Sequence, residues 1–127
     1  MYRAEARHIK DFTFDVTSAG ARVTIDAKGK DGITPPDALL AALTSCTGVY
    51  IHKYAEGAKL SLEGFSVTAE AEFCKEPPFS FKSIALAVDL KGAVLDERRK
   101  RALVEFIKNC PVHGTLKGNP EINITIG

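Results

Sequence analysis

Residues 39–54, LLAALTSCTGVYIHKY, form an almost uncharged stretch with Cys46 close to its middle. Residues 104–114, VEFIKNCPVHG, place Cys110 directly before a proline and three residues before His113. A deprotonated thiol can be a nucleophile, a metal ligand or half of a disulfide. A protonated one is a small hydrophobe, among the residue types proteins bury most often. Helical spacing fits the second reading. Leu39, Leu43, Cys46 and Tyr50 share one stripe, and Leu103, Phe106, Ile107 and Cys110 fall at i, i+3, i+4 and i+7. Two features fit the first. Ser45, Thr47 and Gly48 surround Cys46 with small or hydroxylic side chains that leave space, and Cys110 lies at a helix end, where a side chain can be presented to a pocket. Cys74, beside KEPP, reads as a bystander. Cys110 and His113 have a C-x-x-H spacing, but His8, His52, Cys46 and Cys74 supply no second paired motif. Structural zinc sites take four closely organised ligands, so no metal is expected, and His113 suits a hydrogen-bonding role instead.

Elements must bring these residues together. Phe12, Phe14 and Val16 alternate, as do Val23 and Ile25, with the turn signal SAG at 18–20 between them. This predicts a hairpin over 8–28. KGKDG at 28–32 is a loop. A helix then starts after Thr34, a suitable N-cap with prolines in the first turn and Asp37 at the capping-box spacing. It runs to about Gly57, a natural C-terminal stop. Residues 65–73 alternate as a half-buried strand, EPPF at 76–79 breaks the chain, and Ile84, Leu86, Val88 and Leu90 make the next strand. A second helix starts near Asp96 and Glu97 and is predicted to end at Cys110, because Pro111 disfavours helix at the residue before it. Ile122, Ile124 and Ile126 predict a last strand. The order is β-β-α-β-β-α-β with antiparallel hairpins, an α+β class.

The first helix is apolar nearly all round, so it must be covered on most sides. In a chain of 127 residues a second copy could supply part of that cover, and a homodimer is expected. The basic run Arg98 to Arg101 is flanked by acids and reads as a solvated helix face.

Composition sets outer limits. The length fits a single domain spanning 1–127. Apolar residues make up 45% and charged ones 26%, as in an ordinary globular protein. A net charge of +1 creates no field to recruit nucleic acid or an anionic membrane, and neither partner is expected. The apolar tract 38–51 is interrupted by Thr44, Ser45, Thr47 and Gly48 and is too short to span a bilayer. MYRAEARHIKDF has no apolar h-region, so no signal peptide is read and a cytoplasmic location is expected. Three cysteines there argue against a disulfide framework.

PPDALLAALTSCTGVYIHKYA and ALVEFIKNCPVHGTL resemble the two signature segments of the OsmC/Ohr family of thiol-dependent peroxidases. That pattern has a Leu/Ala-rich helix carrying a cysteine, then, about sixty residues on, a Cys-Pro-Val segment closing a second helix. The separation here is 64 residues, and the resemblance covers nearly all the chain from about residue 12. It implies an intertwined α+β homodimer, an antiparallel sheet with two central helices, and active sites at the subunit interface. It implies that Cys46 is the peroxidatic cysteine and Cys110 the resolving one. A Cys46–Cys110 disulfide would then be reduced by an external dithiol, without a cofactor. In the family's best-studied branch an arginine of the N-terminal strands activates the thiol, held by a glutamate ten residues before the cysteine. Pro36 occupies that position here, and Asp37 is the nearest acid. Arg22 is the candidate cation, with Arg3 and Arg7 as alternatives, against the plain reading of a solvated strand residue. Asp37 is the candidate acid, against its plain reading as a helix cap. The alternative function is an OsmC-like protein that binds a small molecule or senses oxidation without efficient turnover. A third reading makes the cysteines structural in an interaction scaffold.

Overall fold

The computed structural model describes residues 1–127. It is α+β, with eight elements in the order β1 (Glu5–Lys10), β2 (Thr13–Ser18), β3 (Ala21–Asp26), α1 (Pro35–Gly57), β4 (Ser66–Cys74), β5 (Ser80–Asp89), α2 (Glu97–Ile107) and α3 (Pro111–Gly118). The strands make two antiparallel sheets, β1-β2-β3 and β4-β5. The chain divides into two compact units, Met1–Ala41 and Ala42–Gly127.

In the first unit the SAG turn forms where the sequence places it. Ala19 and Gly20 both have positive φ, 49° and 85°, the signature of a two-residue turn whose twist matches the flanking strands. That turn fixes the β2–β3 register, pairing Ser18 with Ala21, Thr17 with Arg22 and Asp15 with Thr24. Alternation then puts Phe14, Val16, Val23 and Ile25 on one face and Thr13, Asp15, Thr17, Arg22, Thr24 and Asp26 on the other. The expected hairpin gains a third strand, β1, which pairs antiparallel with β2 and sets Arg7 opposite Asp15. Its sequence EARHIK carries no apolar alternation and is exposed throughout, so periodicity could not find it.

Asp26 organises the loop that follows. It is only 3% exposed, and its carboxylate accepts hydrogen bonds from the backbone N–H of Lys28 (2.9 Å), Lys30 (3.3 Å) and Asp31 (3.0 Å). Ile33 then forms a parallel bridge to Ile25. Gly32 allows this approach, because a Cβ there would overlap the Thr24 carbonyl. Thr34 caps α1 as expected. Its Oγ1 accepts from the Asp37 N–H at 3.2 Å and donates to the Asp37 carboxylate at 2.8 Å.

In the second unit one stripe of α1 is buried, Leu43, Thr47, Ile51 and Ala55, each four residues after the last. Ile51 and Ala55 join Leu62, Leu95 and Leu103 in the core, with Tyr54, Phe65, Val67 and Ile107 packed against it. Asp96 caps α2 by accepting from the Arg99 N–H at 2.8 Å.

Two expectations need correction here. The second helix does not reach Cys110. It ends at Ile107, and Cys110 is the N-cap of a further helix, α3, with Pro111 in its first turn. Proline both disfavours helix behind it and suits the first helical position. It therefore starts one helix as well as stopping another. The last strand is also absent. Ile122, Ile124 and Ile126 are 80%, 83% and 94% exposed and pair with no strand. The order is thus β-β-β-α-β-β-α-α in two sheets, not β-β-α-β-β-α-β in one.

Three backbone N–H donors hold the Asp26 carboxyl below the usual aspartate range, most strongly those of Asp31 and Lys28. As pH falls through about 3.9, the unfolded chain takes up this proton before the folded one does. Asp26 therefore contributes stability above that value and loses it as pH drops through its lower folded pKa. Asp26→Asn should melt earlier than wild type at neutral pH, with the gap narrowing on acidification, as followed by thermal melts across that range.

Candidate active site: a cysteine pair joining two helices

The second unit builds the pair from α1 and from the junction of α2 and α3. Cys46 and Cys110 are joined by a disulfide, with Cα atoms 6.1 Å apart across 64 residues of sequence. Cys46 lies between the buried positions Leu43 and Thr47, at the edge of the buried stripe, and is half-buried. Cys110 is 1% exposed. Thr47 is buried too, but its hydroxyl is satisfied by donating to the Leu43 carbonyl at 2.8 Å.

Aromatic packing sets α1 against α2 and so fixes where Cys110 arrives. The Phe106 ring packs at an angle against Tyr50 (5.8 Å) and Tyr54 (5.7 Å), within the range where ring pairs attract. The Cys110 N–H donates to the Ile107 carbonyl at 3.1 Å, which turns the chain out of α2. The Gly114 N–H donates to the Cys110 carbonyl at 2.9 Å, which starts α3. A groove of about 480 Å³ is lined by Leu43, Ile84, Leu86, His113, Leu116 and Lys117, among others. His113 thus lies on the groove wall, half-buried. No group of three or more His, Cys, Asp or Glu side chains is placed to hold a metal ion.

The other candidates lie in the first unit, and each has a partner there. Arg22 is engaged by Asp15. Its Nε donates to Oδ1 at 3.4 Å, and its Nη2 makes a short contact with Oδ2. Arg7 approaches the same carboxylate at 3.9 Å. Arg3 pairs with Glu5 at 3.2 Å. Asp37 is held by Thr34, the geometry of its helix-cap reading. Cys74 is a free thiol at the end of β4. Asp15 escaped the sequence reading, although the SAG turn contained the signal: a two-residue turn at 19–20 sets 15 opposite 24 and diagonal to 22. The contacts of Arg22 and Arg7 hold the Asp15 carboxyl below its ordinary range, the Arg22 hydrogen bond most strongly.

The molecule is therefore an α+β protein whose long first helix is tied by a disulfide to the start of its last. Residues 27–125 match the family model described as OsmC-like protein, and the chain belongs to that family. It is 25% identical over 124 residues to a hydroperoxide reductase of Mycoplasma genitalium, covering 91% of this chain and 88% of that one. Its fold matches the crystal structure of an OsmC-like protein from Mycoplasma pneumoniae with a TM-score of 0.80 at 22% identity, over 93% of this chain and 88% of that one. It also matches the organic hydroperoxide resistance protein OhrB of Bacillus subtilis, with a TM-score of 0.68 at 21% identity, over 94% and 92%. No helix is long and apolar enough to cross a membrane.

A cross-link closing a loop of this length removes enough unfolded-chain entropy to stabilise the folded state by about 4 kcal/mol. Reduction should lower the unfolding free energy by that order in urea titrations. In Cys46→Ser, the same reductant should change little.

Proposed function

We propose that this protein is a thiol-dependent peroxidase that reduces organic or inorganic hydroperoxides with Cys46 and Cys110. The observation that carries the reading is the disulfide itself, which joins a half-buried cysteine on α1 to a buried one at the start of α3. In the first step the Cys46 thiolate attacks the outer oxygen of ROOH. The O–O bond breaks, ROH leaves with a proton, and Cys46 becomes a sulfenic acid. The Cys110 thiol then attacks that sulfur, releasing water and forming the disulfide. An external dithiol reduces it by two exchange steps and is itself oxidised to a disulfide. Sulfur carries every step, and no cofactor or metal takes part.

Burial supports the division of roles. The peroxide and the reductant must both reach the working sulfur, and Cys46 is the less buried of the two. Cys110, at the N-terminus of α3, is placed where partial positive charge favours a departing thiolate.

Activation of Cys46 needs a cation. A free thiol has a pKa of about 8.5 and is mostly protonated at neutral pH. Cys46 lies well beyond the first turn of α1, so the helix dipole gives it little help. Lowering its pKa by about two units needs roughly 2.7 kcal/mol of differential stabilisation. Arg22 is the cation we assign to this task.

A second reading keeps the fold but not the turnover: a small-molecule-binding or redox-sensing OsmC-like protein. Pro36 at the expected glutamate position and the engagement of Asp37 by Thr34 favour it.

The working form we propose is a homodimer in a reducing cytoplasm. Leu39 and Val49 of α1 remain exposed, as do the three isoleucines of the tail. Light scattering should therefore give twice the chain mass, and a stable monomer would count against the assembly.

Stopped-flow oxidation of the reduced protein tests the chemistry. With cumene hydroperoxide or hydrogen peroxide, thiol loss should run far faster than for a free cysteine and end in the Cys46–Cys110 disulfide by mass spectrometry. Cys46→Ser should abolish it. A wild-type rate no faster than that of free cysteine would support the second reading.

A further inference from the structure

We infer that α3 is a redox-released segment: the Cys46–Cys110 disulfide seats it, and reduction lets it swing away about Cys110. The inference requires the pair to pass between disulfide and dithiol forms, as the function proposed above also requires.

Three observations carry it. The first is what α3 lacks. Its eight residues, Pro111–Gly118, include no buried side chain, and Leu116 is 40% exposed. Helices shorter than about 12–15 residues are marginal in water unless an apolar face is packed. Gly114 and Gly118 weaken this one further. The second is what borders it. His113, Leu116 and Lys117 of α3 line the groove of about 480 Å³ together with Leu43 of α1 and Ile84 and Leu86 of β5. That flank of the helix therefore meets open volume, where a packed helix would meet interdigitated side chains. The third is where it is held. Cys110 is 1% exposed and joined through sulfur to α1. The hydrogen bonds of α3 close on its own first turn: the Gly114 N–H donates to the Cys110 carbonyl at 2.9 Å, and the Thr115 hydroxyl donates to the Pro111 carbonyl at 2.8 Å. Beyond Gly118 the tail is exposed. The covalent link at the N-cap is thus the anchor of a segment that the rest of its unit grips weakly.

Cys110 is also placed to be the hinge. Its backbone is extended, with φ −55° and ψ 127°, between two helical segments, and hinges are commonly such element-terminal residues. Its own N–H, bonded to the Ile107 carbonyl at 3.1 Å, keeps it with α2. The switch is a two-electron step. A dithiol delivers two electrons and two protons, the bond between the sulfurs breaks, both cysteines become thiols, and the dithiol becomes a disulfide. With the link gone, α3 opens locally while the core of the unit stays folded. Release removes one wall of the groove and uncovers Leu43, Ile84 and Leu86, so the redox state of the pair is displayed as an apolar strip.

The bland alternative is that Cys110, as a buried thiol, still behaves as a small hydrophobe and holds α3 without the link. Hydrogen exchange of the full-length protein, oxidised and then reduced with dithiothreitol, separates the two. In the oxidised form the amides of residues 114–118 should be protected at least about tenfold over those of the tail. On reduction they should fall to the level of the tail, while α1 and the β4–β5 pair stay protected. Trypsin should then cut after Lys117 sooner than after Lys108. Cys46→Ser leaves Cys110 in place but cannot form the link, and it should show the reduced pattern with or without dithiothreitol. Three results would each overturn the inference: α3 stays protected after reduction, α3 is already as open as the tail in the oxidised form, or the whole unit loses protection together. No hydroperoxide enters this experiment, so a failed peroxidase assay leaves the inference standing, and a rigid α3 leaves the peroxidase reading standing.

Discussion

Burial of a single stripe on α1 is the constraint on which the rest of the second unit depends. Leu43, Thr47, Ile51 and Ala55 recur every fourth residue, so successive members turn about 40° past one full revolution and stay on one flank. Each fully buried aliphatic side chain there stabilises the fold by about 1.5–3 kcal/mol. A residue between Leu43 and Thr47 cannot share their direction. Cys46 points about 60° to one side of Leu43 and about 100° from Thr47. This rotation makes it half-buried and near enough to the core to meet Cys110. Thr47 tolerates full burial because its hydroxyl bonds back to the Leu43 carbonyl, which removes the desolvation cost of an unpaired polar group.

Electrostatics then divides the problem of making a thiolate between separate parts of the sequence. The α1 dipole acts over its first turn, where Asp37 and Thr34 already use it. Cys46 lies too far along to share it. A cation that lowered its pKa would have to come from a side chain. Cys110 has the opposite situation. It sits at a helix N-terminus, where partial positive charge favours a thiolate. The two sulfurs are chemically unequal because their helices place them at unequal positions.

Much of this was legible in sequence because it rests on local rules. The SAG turn set the β2–β3 register, Thr34 set the start of α1, and strict alternation marked β4. The cysteine pair was legible through resemblance, where stripe spacing alone left packing and chemistry open. The failures also have physical causes. Strand β1 is held by backbone pairing to β2, not by burial, so its charged side chains carried no periodic signal. Helix α3 contains Gly114 and Gly118, poor helix formers, and its proline was read as a stop although it occupies the first turn. The helix-cap spacing of Thr34 and Asp37 was legible as well, and the two side chains are hydrogen-bonded. The Asp15–Arg22 ion pair carried no local signal because it joins diagonal neighbours across a turn.

The failed prediction of a last strand shows how sequence pattern and single-chain structure can part company. Alternating isoleucines at 122, 124 and 126 are a strand pattern, yet a strand forms only where an edge receives it. A two-stranded sheet such as β4-β5 is marginal on its own and leaves two edges with unpaired backbone groups. The same chain leaves Leu39 and Val49 exposed on its most apolar helix. Open edges, an unpaired strand pattern and exposed aliphatic side chains are three forms of one deficit: surface that the sequence equips for burial and one copy leaves in water. In the homodimer proposed above, a second copy would supply these complements, by apolar contact for the helix and by backbone pairing for the strands.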